Sequence, residues 1–84
     1  KRYTMLISYP AIFHKGNQDY WVEFPEFGGG TQGTSLEDAI TNAQEMLEGI
    51  VISYADNNMI LPNPSQLDDT AIADGFLKTI FVVL

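Results

Sequence analysis

The chain has 84 residues and no cysteine, so it has room for one hydrophobic core and can form neither a disulfide framework nor a cysteine metal site. Its net charge is -7; the acidic residues all lie between Asp19 and Asp74, with no Lys or Arg among them. That charge pattern opposes direct nucleic-acid binding and favours a basic protein partner, although solubility alone is also a sufficient reason for it. No apolar run approaches the roughly 20 residues that span a bilayer, and we expect a single cytoplasmic domain over residues 1–84.

The first part of the chain predicts a β-hairpin. Residues 4–14 partly alternate between two faces, which indicates a strand. Pro10 within this strand lacks an N–H, so that side of the residue should face no pairing partner. A polar turn containing Gly16 leads to a second strand over residues 19–25, and we expect the two strands to pair.

A glycine-rich bend leads to a third strand over residues 30–34 and then to one long helix. Apolar residues recur every three or four positions over residues 35–57, which is typical of one face of an α-helix. Ser35 is the predicted N-cap. Asn57 and Asn58 are the predicted end, because Asn tolerates the left-handed conformation.

The last predicted element is a strand over residues 76–84, whose final five residues are continuously apolar, as expected for a strand covered on both faces. The order β-β-β-α-β predicts an α+β fold in which one long helix packs on one face of a small mixed sheet. Leu6, Ile12 and Trp21 then remain on the opposite face. We therefore expect a partner or a second subunit there, giving a homodimer or homotetramer.

The sequence offers little for catalysis. His14 is the only histidine, and we expect it to be exposed to solvent near a turn. Asp19, Glu23 and Glu26 could form a Mg²⁺-binding carboxylate cluster, but their spacing along an extended chain spreads them apart. We therefore expect no catalytic residue, no metal and no cofactor. A metal-dependent nuclease remnant and a stand-alone oligomeric structural domain stay open as alternatives to a binding protein.

Several segments together resemble one known family. They are Tyr9-Pro10-Ala11, the strand and loop from Tyr20 to Phe27, the run from Gly28 to Gly33, the helix start Thr34-Ser35-Leu36-Glu37-Asp38-Ala39, and the connector Leu61-Pro62-Asn63-Pro64-Ser65. In this combination the chain resembles the HicB antitoxins of bacterial toxin–antitoxin systems over roughly residues 5–65.

The resemblance implies a partial RNase H-like fold without that fold's catalytic carboxylates. It also implies a partner, a small basic HicA-like toxin that cleaves mRNA. The antitoxin would neutralise this toxin by covering its RNA-binding surface or active site. Many HicB proteins carry a C-terminal DNA-binding module; we expect none within residues 1–84, and a tail of that kind outside this chain would add autorepression.

We expect the toxin to contact the second strand, the loop after it and the outer face of the helix. Acidic side chains there would steer association, and Trp21 and Phe27 would anchor the complex. The candidate contact residues are Asp19, Trp21, Glu23, Glu26, Phe27, Glu45 and Glu48.

Overall fold

Four strands and one helix follow one another in the order β-β-β-α-β. A computed structural model describes residues 5–67 and 75–84 of the chain. The elements are β1 Leu6–Lys15, β2 Tyr20–Phe24, β3 Gly29–Gly33, α1 Leu36–Asp56 and β4 Phe76–Val83. The strands form one sheet in the order β3-β2-β1-β4, and α1 packs across one face of it. The predicted α+β class and element order are confirmed.

Every strand pair in the sheet is antiparallel, which differs from the mixed sheet expected from the sequence. The last turns of α1 lie beside Met5 and Leu84, at one end of the sheet. β4 begins at the other end, where Phe76 pairs with Phe13. The chain therefore returns along the sheet after α1, and this return makes β4 antiparallel to β1.

Pro10 lies in a central strand without interrupting a ladder. Met5 and Leu84 exchange both backbone hydrogen bonds at 2.9 Å, so hydrogen-bonded pairs between β1 and β4 fall at alternate positions from there. Pro10 and Thr79 form one of the intervening pairs, and the missing N–H of Pro10 faces the β2 side. Continuing the β1–β2 register would bring Pro10 opposite Pro25, where β2 has already ended. The missing donor therefore faces no strand, as the sequence predicted.

The hydrophobic core lies between α1 and the inner face of the sheet. Its largest fully buried side chains are Phe13, Phe24, Leu47, Ile80 and Val22. Ala39 and Ala43 on the buried stripe of α1 let the helix backbone approach the sheet closely. At the closest point, a Cβ on Gly33 would lie only 2.6 Å from the Ala39 Cα, so a side chain at position 33 is excluded.

Both ends of α1 follow local sequence signals. The Ser35 hydroxyl accepts a hydrogen bond from the Asp38 N–H at 3.0 Å, which makes Ser35 the N-cap. The Asp38 carboxylate in turn accepts from the Thr34 N–H at 2.9 Å. At the other end Asn57 is the C-cap and Asn58 has a positive φ of 54°, so the left-handed Asn expected there is present.

The outer face of the sheet is open, and β4 is covered on one face only. Phe81 and Val83 on β4 are 49% and 61% exposed. The expectation that β4 is covered on both faces is therefore wrong for this chain. Both faces of an apolar strand are buried only when a layer packs on each face of the sheet. In this chain α1 covers one face of the sheet and leaves the other open.

The connector after α1 is held against the β2–β3 end of the sheet by two polar side chains, the buried Tyr9 and the half-buried Glu26. The Tyr9 hydroxyl donates to the Pro62 carbonyl, and the Glu26 carboxylate accepts from the Ser65 N–H. The Phe27 ring packs edge-on against Tyr9, with ring centroids 4.8 Å apart. Burial raises the pKa of the Tyr9 phenol, and the neighbouring Glu26 carboxylate raises it further.

Tyr9→Phe tests the link to the connector. Loss of the hydroxyl's bond to Pro62 should lower the free energy of unfolding by about 1 kcal/mol, measured by urea titration at neutral pH.

The contribution of the Tyr9 hydroxyl should also depend on pH, because the pKa of this phenol is raised in the folded state. The neutral phenol stabilises the fold fully below the unfolded pKa of about 10. This contribution is lost as pH rises through the folded pKa. Tyr54→Phe is the control. Equal losses for the two variants would contradict the assignment.

Candidate partner-binding surface

Three side chains form a compact cluster on the outer face of the sheet. The hairpin register sets His14 on β1 opposite Trp21 on β2, and Ile12 opposite Glu23. The His14 and Trp21 rings stack, with centroids 4.2 Å apart and 14° between planes. His14 Nε2 lies 2.8 Å from Glu23 Oε2. We call His14, Trp21 and Glu23 the outer-face cluster.

This arrangement fixes an exposed aromatic ring beside a carboxylate. Trp21 is 46% exposed, although one face of its indole is held by the His14 ring. Glu23 is half-buried and held by the same imidazole. Both side chains therefore lose little conformational freedom when they meet a ligand, since His14 already orders them.

A shallow cleft borders the cluster on the β3 side. In the β2–β3 ladder Gln32 lies opposite Trp21 and Gly30 lies opposite Glu23. A Cβ on Gly30 would overlap the Val22 carbonyl oxygen, so this position has to stay without a side chain. The resulting cleft has a volume of about 480 Å³ and is lined by Trp21, Gly30, Thr31 and Gln32. A side chain of a partner can therefore lie on the bare strand next to the indole.

Asp19, Glu26 and Phe27 of the predicted contact set lie elsewhere on the hairpins. Asp19 is exposed in the β1–β2 turn, where its backbone carbonyl accepts from the Gly16 N–H at 2.7 Å. Phe27 is partly buried against the core, and Glu26 holds the connector. The second Glu26 oxygen, Oε1, is buried and has no hydrogen-bond partner within the described ranges 5–67 and 75–84.

The last two predicted contact residues, Glu45 and Glu48, line a groove between α1 and β4. This groove has a volume of about 320 Å³ and also includes Phe81 and Val82. The seven candidates thus fall into three regions: the outer-face cluster with the turn beside it, the connector end, and the α1–β4 groove. The assignment of these residues to a partner stays a prediction.

One comparison with known proteins decides the family. The model of a family described as the HicB_like antitoxin of bacterial toxin-antitoxin systems matches residues 9–84. The chain belongs to the HicB-like antitoxin family. Searches of curated proteins and of solved structures gave no match. Family membership implies an antitoxin role and a toxin partner, and the matched range includes the whole outer-face cluster.

His14 is the member of the cluster that sequence reasoning missed in this HicB-like chain. The sequence suggested a solvent-exposed turn histidine, whereas the His14 side chain is 21% exposed and packs against Trp21 and Glu23. A hairpin centred on the Gly16 turn brings positions 14 and 21 opposite each other. The strand register therefore predicts that His14 lies beside Trp21.

In the described part of the HicB-like chain, the potential metal-binding side chains do not converge on one site. Among residues 5–67 and 75–84 there is no group of three or more His, Cys, Asp or Glu side chains arranged for a metal ion. Glu23 pairs with His14 and Glu26 with the connector, so they do not converge with Asp19. The same residues include no helix long and apolar enough to cross a membrane.

Proposed function

We propose that this HicB-like chain is the antitoxin of a small, basic, HicA-like toxin that cleaves mRNA. It neutralises the toxin by occupying the toxin's RNA-binding surface or active site, with the outer-face cluster at the centre of the contact. Neutralisation needs no chemistry from the antitoxin, only a surface that competes with RNA.

The observation that carries this proposal is the half-exposed indole of Trp21 beside the carboxylate of Glu23. Trp is among the residues that most often dominate binding energy at protein interfaces. A guanidinium or ammonium group stacks favourably on an indole face, and an arginine can also form two hydrogen bonds with a carboxylate. The cluster thus has the chemistry to hold a basic side chain that would otherwise contact RNA phosphate.

Overall charge supports the same partner class. The chain has a net charge of -7, and its described cations are Lys15 and Lys78, neither on β2 or β3. Long-range attraction accelerates the encounter with a basic protein. Asp19 beside the cluster, and Glu45 and Glu48 on α1, contribute to that attraction without having to touch the toxin.

Self-association belongs to the proposal as well. One helix covers one sheet face, and the apolar side chains of the outer face and of β4 are left exposed. A homodimer or homotetramer in the bacterial cytoplasm would bury part of this surface while the outer-face cluster engages the toxin.

The proposal is tested by purifying the small basic protein encoded beside this chain and measuring three quantities. Calorimetry should detect a complex at low salt. Binding should weaken and association should slow as salt rises, because screening reduces attraction between opposite charges. RNA cleavage by the neighbour should stop at stoichiometric antitoxin. The absence of a complex at low salt would overturn the proposal, and RNA cleavage by the isolated chain with Mg²⁺ would favour the nuclease alternative.

A further inference from the structure

β3 is an edge strand of the sheet, and the ladder pattern shows which of its backbone groups face outward. Met5 and Leu84 exchange both hydrogen bonds, and bonded pairs alternate along antiparallel ladders. Within a central strand, residues that bond one neighbouring strand alternate with residues that bond the other. Followed from β4 through β1 and β2, this alternation makes the odd-numbered β3 residues bond to β2. Gly30 and Gln32 therefore direct their N–H and carbonyl groups away from the sheet.

A side-chain contact at Gln32 agrees with this direction. The Asn42 side chain on α1 donates a hydrogen bond to the Gln32 carbonyl at 2.7 Å. Within residues 5–67 and 75–84, this is the one hydrogen bond that the outward groups of β3 receive. Gly30 and Gln32 are both exposed. The Gly30 N–H, the Gly30 carbonyl and the Gln32 N–H are therefore available to another strand.

The edge of β3 lacks most of the features that keep edges from pairing. Natural edge strands are often protected by proline, by charged side chains or by a bulge. β3 contains neither proline nor a charged side chain, and its pairing with β2 is regular from Gly29 to Gly33. Because the strand is short, its backbone gives a partner few hydrogen bonds. A side-chain contact therefore has to contribute to any strand addition here.

The bare position at Gly30 allows such a contact. Gly30 lies opposite Glu23 and Gln32 lies opposite Trp21, so all four share the outer face of the sheet. In a strand added to β3, the residue opposite Gly30 would point to the same face. Since neighbouring strands lie about 4.8 Å apart, that residue would be about 10 Å from Glu23. A Lys or Arg side chain is long enough to cross Gly30 and end beside the carboxylate and the indole.

We propose that the toxin adds an extended strand to the β3 edge and places a Lys or Arg opposite Gly30. This inference rests on the antitoxin proposal and specifies how the contact is made. The N–H groups of Gly30 and Gln32 donate to carbonyls of the added strand, and the Gly30 carbonyl accepts from it. The cation lies in the cleft between Trp21 and Glu23. A basic strand fits because the cleft borders a carboxylate and the chain has a net charge of -7.

Amide hydrogen exchange, measured by NMR on the full chain with and without the small basic protein encoded beside it, tests the edge directly. In the free chain the Gly30 and Gln32 amides should exchange fast, and the Thr31 amide, bonded to Val22 within the sheet, should exchange slowly. In the complex, exchange at Gly30 and Gln32 should slow by about tenfold or more. A complex in which these two amides exchange as before would overturn the strand addition and leave the antitoxin proposal standing. The absence of a complex would overturn both.

Gln32→Pro tests the same edge by mutation. Proline removes an outward N–H without touching the β2 ladder, and it should raise the Kd for the basic protein by about tenfold or more. Gln32→Ala keeps the N–H and is the matched control, with an expected change below about threefold. Urea unfolding checks that both variants fold, and the wild-type exchange experiment decides if the proline variant does not. A folded proline variant that binds as tightly as the alanine variant would contradict the proposal.

A charge placed in the cleft tests the position of the toxin's cation. Gln32→Lys puts an ammonium group opposite Trp21, where it would compete for the indole and the Glu23 carboxylate. It should raise the Kd by about tenfold or more. Ser53→Lys adds the same charge at an exposed position on α1 and should raise it by about twofold or less. Equal effects of the two lysine variants would overturn the assignment of the cleft to a basic side chain.

Discussion

Gly33→Ala is expected to destabilise the fold by about 3 kcal/mol or more, a large share of the stability of a domain this small. A Cβ at this position would lie 2.6 Å from the Ala39 Cα and 2.7 Å from the Asp38 carbonyl carbon, and it would also overlap the Ala39 nitrogen. These are backbone atoms of the first turns of α1, so no side chain can rotate away. The whole helix would have to move off β3.

Gly49→Ala is the matched control and should have the opposite sign. A Cβ on Gly49 would have no atom within 4 Å apart from the neighbouring helix backbone, and the residue is exposed within α1. Alanine there should increase the free energy of unfolding by about 1 kcal/mol, because it favours the helix more than glycine does. Urea titrations of both variants give the comparison. A Gly33→Ala protein as stable as the wild type would show that α1 does not pack on β3 as closely as described.

Trp21→Ala is expected to weaken toxin binding by about 2 kcal/mol or more, roughly thirtyfold in Kd, with little change in folding stability. The indole is half-exposed and its contacts lie on the outer face, so its truncation leaves the core between the sheet and α1 intact. Calorimetry with the neighbouring basic protein measures the affinity. Trp21→Phe retains an aromatic face and should lose less.

Ile52→Ala is the control for loss of an exposed apolar side chain. Ile52 is 47% exposed, almost the same as Trp21, but it lies on α1 away from the outer-face cluster. Its truncation should change toxin affinity by less than about 0.5 kcal/mol. Equal effects of the two alanine variants, or no effect of Trp21→Ala, would remove the outer-face cluster from the proposed interface.

Local signals in the sequence were sufficient for much of the fold. The three-to-four-residue period predicted α1, and Ser35 and Asn58 occupy the end positions expected from their chemistry. The direction of β4 was not predictable in the same way. It depends on the end of the sheet at which α1 terminates, and that position is a property of tertiary packing.

The sequence predicted which residue types belong to the candidate surface, but it did not predict how their side chains are arranged. Trp21 and Glu23 follow from their shared face on β2, since alternation is a local property. The contribution of His14 comes from the neighbouring strand and requires the register as well. Phe27 was predicted to be an anchor of the toxin contact, together with Trp21. The edge-on contacts of Phe27 with Tyr9 and Tyr54 join residues far apart in the sequence, so no local sequence pattern predicts them.

The position of Pro10 also restricts how the chain can misfold. If β2 slid two residues along β1, Glu23 would lie opposite Pro10 instead of Ile12. The Glu23 carbonyl would then lose its hydrogen bond, because Pro10 has no backbone N–H to donate. A slip of one residue would turn Val22 and Phe24 away from the core. Pro10 and Pro25 thus mark the end of the hairpin ladder, so a mispaired hairpin is penalised before α1 has packed on it.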